Sequence, residues 1–204
     1  TGKKSKKRPA VVRLSHGISL EPYRGDLEFL TNMGLAQRID DDPNIANIEQ
    51  HQSLYSYTFT IDLSKVGIDE NDEIELPKEE KSKRVSQLIE IIKILNRNIR
   101  GRQENLSPLF VIGGIYPVAN PFFLGKVRIN NQRKRCYLIT DIIEDVIKQE
   151  FIGQKVEDFT KIGLVDGIFE NQDEIEKVFT GKVVRIGEFF RSLSQKVKEF
   201  YEVV

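Results

Sequence analysis

Apolar and polar residues alternate most cleanly over residues 53–63, SLYSYTFTIDL. Tyr55, Tyr57, Phe59, Ile61 and Leu63 take one parity and Ser56, Thr58, Thr60 and Asp62 the other. This period of two predicts a strand with one buried and one wetted face. Residues 79–99 follow a different rule. Val85, Leu88, Ile89, Ile92, Leu95 and Ile99 recur at three- and four-residue steps, which predicts a helix with one apolar stripe. Gly101 then stands where a helix C-terminus favours a residue tolerant of positive φ. An apolar run at 108–116 predicts a buried strand, so strand, helix and strand read as one β–α–β unit.

Elsewhere the pattern is weaker. Leu20, Leu27, Phe29, Leu30, Met33 and Leu35 scatter over 18–40, which reads as a short, glycine-interrupted helical segment in a small lobe. GKVRIN and RCYLIT flank NQRK, predicting a hairpin with a basic tip. Residues 141–152 read as helical. Ile186, Phe189, Phe190, Leu193, Val197, Phe200, Tyr201 and Val204 form the apolar stripe of a last helix. The chain shows no internal repeat and no low-complexity tract.

Charge alters this picture by its distribution rather than its sum. Over 204 residues, 31 Lys and Arg balance 31 Asp and Glu, so any polyanion-binding surface must be a local patch. The cations gather in TGKKSKKRP at the start, around residues 97–102, and at Arg128, Arg133, Lys134 and Arg135. The acids gather at Asp40, Asp41 and Asp42, and seven of them crowd residues 69–80, which run into the predicted helix. A hydrophobic fraction of 39% suits one packed domain with insertions or two small ones. The lone Cys136 excludes an intramolecular disulfide framework and suits a reducing cytosol. No apolar run approaches the roughly 18 residues of a membrane-spanning helix, and no secretory signal is visible. The opening Thr-Gly, without Met, fits a fragment or appended residues.

The densest chemistry is NRNIRGRQEN, residues 96–105, where Arg97, Arg100 and Arg102 mix with Asn96, Asn98, Gln103 and Asn105. Two accounts stand side by side. Cations in a last helical turn favour the negative end of the helix dipole. Alternatively, arginine forks match phosphate oxygens, and amides hold sugar hydroxyls or backbone oxygens. The dipole account does not reach Arg102 and Gln103, which lie beyond Gly101. GGIY at 113–116 lacks Walker spacing and its lysine, so a bulge or close backbone approach explains it better. His16 and His51 share no neighbouring ligand set for zinc, and no nucleophile elbow stands out. No cofactor, metal or catalytic residue is expected.

Read together, RLSHGISLEPYRGDLEFLTNMGLAQRI, IEQHQSLYSYTFTIDL and NRNIRGRQENLSPLFVIGG resemble the DevR-like backbone subunits of type I-B CRISPR interference (Cascade) complexes. The resemblance runs through at least residues 11–125. It implies an α+β protein with an RRM-like (ferredoxin-like) palm and inserted lobes. A basic arm at 1–13 would flank a thumb-like loop, and 14–52 would be an inserted lobe. Residues 53–140 would be the second half of the palm, with 141–204 a helical region packing on it. The family also begins with a further strand, a Gly-rich turn and a helix, and this sequence lacks that first strand and helix.

The implied role is non-enzymatic: several copies polymerise head-to-tail along one CRISPR RNA in the cytoplasm. They meet other Cascade subunits and reach target DNA through the guide, with no membrane. The implied RNA contacts are Lys3, Lys4, Lys6, Lys7, Arg8, Arg13, His16, Arg97, Arg100, Arg102 and Gln103. Sequence-blind holding fits contacts to phosphate and 2′-hydroxyl that leave base edges exposed. The acidic 69–80 stretch is expected to meet base on the next copy. Two rivals remain. One is a metal-dependent ribonuclease with Asp26 or Asp40 as its loop acid. The other is a DNA-binding regulator, for which no helix-turn-helix with a basic recognition helix is seen.

Overall fold

The computed structural model describes residues 7–40, 42, 44–99, 101–133 and 135–203. They form a mixed α+β structure in two compact units, residues 17–56 and the remainder. Along the chain run β1 (Val12–Leu14), β2 (Ile18–Ser19), β3 (Asp26–Thr31), α1 (Met33–Ile39), β4 (Ile45–Gln50), β5 (Tyr55–Ser56) and β6 (Phe59–Ile61). A 3₁₀ turn at Leu63–Lys65 leads to β7 (Ile68–Asp69), β8 (Ile74–Glu75), α2 (Lys78–Lys93), β9 (Asn96–Ile99), β10 (Arg102–Asn105) and β11 (Phe110–Gly113). The rest comprises α3 (Thr140–Ile147), β12 (Glu150–Phe151), β13 (Gln154–Lys155), β14 (Lys161–Leu164), α4 (Gln172–Val178), β15 (Val183–Arg185) and α5 (Ile186–Phe200).

The larger unit is built around a three-stranded sheet in the order β11–β14–β15, antiparallel between the first two and parallel between the last two. Side chains alternate across a sheet, and this one separates two apolar clusters. Phe110, Ile112, Ile162, Leu164 and Val183 face a cluster that includes Leu138, Ile143, Val146, Ile147 and Ile175. Val111 and Val184 face the other, where Val85, Ile89 and Ile92 of α2 meet Phe189, Phe190 and Val197 of α5. Phe59, Ile61 and Leu63 join this second cluster. Gly163 keeps α5 close, because a Cβ there would lie 2.7 Å from Phe189 Cβ and 2.8 Å from Val111 Cγ1. At Gly114 a Cβ would stand 1.8 Å from the carbonyl oxygen of Phe159. GGIY is thus a place where two backbone segments touch.

Several predicted elements differ in extent. The alternation over 53–63 is broken at 57–58. β5 pairs with β2, and β6 with β1, so Tyr55 and Tyr57 stay exposed while Phe59 and Ile61 pack inward. β6 and β11 lie in separate sheets, and the β–α–β order of the chain is not one hydrogen-bonded unit. The segment at 18–40 is helical only over α1, because Leu27, Phe29 and Leu30 belong to the β3–β4 hairpin. The GKVRIN and RCYLIT hairpin closes through a single Ile129–Leu138 bridge, supported by Asn130 N–H to the Tyr137 carbonyl at 2.8 Å. Residues 141–204 are not purely helical. β14 takes the centre of the main sheet, since Ile162 and Leu164 alternate around Gly163 in a run too short to show a period.

The helix predicted over 79–99 ends at Lys93. Glu79 and Glu80 sit in its first turn, where negative charge favours the helix dipole. Its last turns dissolve into a β-hairpin because Asn is a poor helix former and Gly101, at φ +76°, supplies the tight reversal that lets β9 fold onto β10.

Candidate nucleic-acid interface

The β9–β10 ribbon gathers most of the chain's densest polar sequence. Its register pairs Ile99 with Arg102, Asn98 with Gln103, Arg97 with Glu104 and Asn96 with Asn105. All of these residues are exposed except half-buried Glu104. A lone two-stranded ribbon is marginal in water. Here the base of the ribbon is pinned. Leu106 N–H donates to the Leu95 carbonyl at 2.8 Å, and the Asn105 side-chain oxygen accepts from Ser107 N–H at 2.9 Å.

Because Arg97 lies on a strand rather than in a helix, the dipole account does not apply to it. Arg97 instead donates from Nε to Glu104 across the ribbon at 2.6 Å. Sequence reasoning passes over Glu104, yet its carboxylate offsets the positive charge of Arg97. A signal for it was present: NRNI and RQEN alternate about an Arg-Gly dipeptide, which places residues 97 and 104 opposite each other. Arg102 and Gln103 lie on β10, and Arg100 lies outside the described residues.

The described N-terminal candidates lie elsewhere in the same unit. Lys3, Lys4 and Lys6 fall outside the described residues. Lys7, Arg8, Arg13 and His16 are exposed on the segment that enters and leaves β1. Arg13 stands opposite Thr60, and its Nε donates to the Ala10 carbonyl at 3.3 Å. Arg8 is already partnered, forming ion pairs with Asp69 and, at 2.6 Å, with Asp72. Asn71 Nδ2 donates to the Lys7 carbonyl at 3.2 Å, so this start of the arm rests on the acidic β7–β8 hairpin.

This changes the reading of residues 69–80. Asp69 and Asp72 take Arg8, Glu75 takes the buried Lys81 at 2.7 Å, and Glu80 takes Arg84 at 2.8 Å. Four of the acids expected to meet another copy are engaged within the chain by three cations. Of the two acids considered for metal chemistry, Asp26 opens β3 and Asp40 caps α1 in the left-handed region at φ +54°. Among the described residues no group of three or more His, Cys, Asp or Glu side chains could hold a metal ion. None of their helices is long and apolar enough to cross a membrane.

Residues 1–134 match the family model described as DevR, CRISPR-associated negative auto-regulator DevR/Csa2. Neither the curated proteins nor the solved structures contain a significant match to the chain. The matched region includes β1, α2 and the whole β9–β10 ribbon, and it spans well over half of the chain. The chain belongs to the DevR/Csa2 family of CRISPR-associated proteins.

Proposed function

We propose that the chain is an RNA-binding backbone subunit of a type I-B, Cascade-type interference complex. Several copies line up head-to-tail along one CRISPR RNA in the cytoplasm, beside other Cascade subunits, with target DNA reached through the guide. The RNA is held by its sugar-phosphate chain on an RRM-like palm, with residues 14–52 as an inserted lobe. The observation that carries this reading, beside family membership, is the exposed β9–β10 ribbon, whose arginine forks and amides stand clear of any enclosing pocket. Such side chains suit the repeated sugar-phosphate unit better than one particular base. Arg13, exposed on β1, and the lysines of residues 3–7 supply further charge, with exposed His16 a further polar contact.

The test is equilibrium binding to single-stranded RNAs of different sequence across a salt series. Replacing Arg100→Ala together with Arg102→Ala is expected to weaken all sequences alike. It should also flatten the log–log salt slope by about 0.7 for each phosphate no longer neutralised. A loss that depends on sequence contradicts a backbone-only grip. Preference for duplex DNA favours the regulator reading, and Mg²⁺-dependent cleavage of matched RNA favours the nuclease.

A further inference from the structure

The register of the ribbon sorts its side chains by chemistry in a way their order in the chain conceals. Alternation puts Arg97, Ile99, Arg102 and Glu104 on one face, and Asn96, Asn98, Gln103 and Asn105 on the other. One face is ionic and apolar, and the other consists of carboxamides alone. The outer amides are used locally. Asn96 Nδ2 donates to the Ile94 carbonyl at 3.2 Å, and the Asn105 oxygen accepts from Ser107 Oγ at 2.6 Å as well as from its N–H. Asn98 and Gln103 stand directly opposite each other, exposed, and their amides have no partner among the described residues.

Directly opposed residues in an antiparallel pair hold their Cβ atoms about 4.5–5.5 Å apart, so these two amides form one continuous patch. Each offers an N–H₂ donor and a carbonyl acceptor. Being neutral, they add little to the long-range attraction for phosphate, which the arginines supply. Phosphate oxygens only accept, and contact with them leaves the amide oxygens unmatched. A ribose 2′-hydroxyl both donates and accepts, and so satisfies both ends of an amide. Base edges also offer both functions, but reading them requires the base plane to be fixed in a groove or pocket. A ribbon exposed along nearly its whole length provides no such walls.

We propose that Asn98 and Gln103 select RNA over DNA by hydrogen bonding to 2′-hydroxyls of the bound strand. This rests on the RNA-binding reading above and assigns the discrimination to two residues. The ionic grip treats the two polymers alike apart from spacing, so the amide face carries the difference.

The test titrates the 204-residue chain and the Asn98→Ala/Gln103→Ala variant against single-stranded RNA and DNA of the same sequence. A second measurement uses 2′-O-methyl RNA with the unaltered protein, which is informative whatever the variant's stability. The unaltered chain is expected to prefer RNA. The variant should lose about tenfold in RNA affinity, the scale of two net hydrogen bonds, with DNA affinity within about twofold and the loss equal for uridine-only and mixed sequences. Blocking the 2′-hydroxyl should weaken the unaltered protein by a similar factor. An unchanged RNA-to-DNA ratio, a loss confined to adenine-containing strands, or indifference to 2′-O-methylation overturns the inference. An unaltered chain that binds RNA and DNA equally overturns it while leaving the RNA-binding reading intact. A chain that binds neither overturns both.

Discussion

Single residues in the larger unit are constrained chiefly by closeness and by polar satisfaction. A methyl group at Gly163 meets Phe189 and Val111, both deep in the apolar layer between sheet and α5. Gly163→Ala is expected to cost about 1–3 kcal/mol, read as a lower denaturant midpoint with an unchanged m-value. Gly114→Ala should cost more, since the obstacle is the Phe159 backbone rather than a side chain that can rotate. Glu174 shows the polar side. It accepts from Tyr137 OH at 2.6 Å, Thr140 Oγ1 at 3.0 Å and Asn171 Nδ2 at 3.2 Å. These bonds, that from Tyr137 foremost, hold its carboxyl below the usual carboxylate range. A folded-state value lower than the unfolded one gives stability that is present at neutral pH and lost as pH falls through the folded value. Glu174→Gln should therefore lower Tm near neutrality, and the gap from the unaltered protein should narrow as pH falls from the ordinary glutamate value through the lower folded one. None of these constraints was legible beforehand, because the partners lie 34 to 37 residues away for Tyr137 and Thr140 on Glu174, and between sheet and helix for Gly163.

At the scale of elements, the instructive case is the passage from α2 into β9–β10. The apolar stripe of α2 was readable, and Val85, Ile89 and Ile92 are buried as the three- and four-residue spacing requires. Its end was not, because Leu95 and Ile99 continue the helical spacing while the backbone has already turned extended. What decides the matter is pairing: each β9 residue gains a partner on β10, with Gly101 making the reversal possible. The same register brings Glu104 onto Arg97. Exposed ion pairs contribute only about 0–1 kcal/mol, so Glu104→Gln should barely move Tm. It releases Arg97, however, and is expected to strengthen binding of single-stranded RNA and steepen its salt slope by up to about 0.7. Weaker or unaltered RNA binding in a salt titration would count against a role for Arg97 in holding phosphate.

At the scale of the molecule, both apolar clusters lie in the larger unit, on either side of the β11–β14–β15 sheet. The smaller unit, Gly17–Ser56, buries only Ala36 and Ile48 among its described apolar residues and leaves Phe29 73% and Ile45 72% exposed. Its own burial contributes little to stability. Within the larger unit, Ser15 N–H reaches the Thr58 carbonyl at 2.8 Å, so the two strands that lead to the smaller unit already run side by side. Replacing residues 17–56 with a short Gly-Ser linker is expected to leave the larger unit folded, with Tm by circular dichroism within a few degrees of the full chain. Collapse of the cooperative transition would show that the clusters depend on the excised segment.

The sequence by itself determined the apolar stripes of α2 and α5, since a helix face must recur at its own period whatever it later packs against. It also determined that cations, amides and acids are segregated along the chain, and its long motifs pointed to the family. Only the tertiary structure decided which acids neutralise which cations, where α2 yields to a ribbon, and which carboxamides share a face. Those outcomes depend on hydrogen-bond register, and for pairs such as Arg8 with Asp69 on contacts between residues far apart in the chain, which the order of amino acids does not fix.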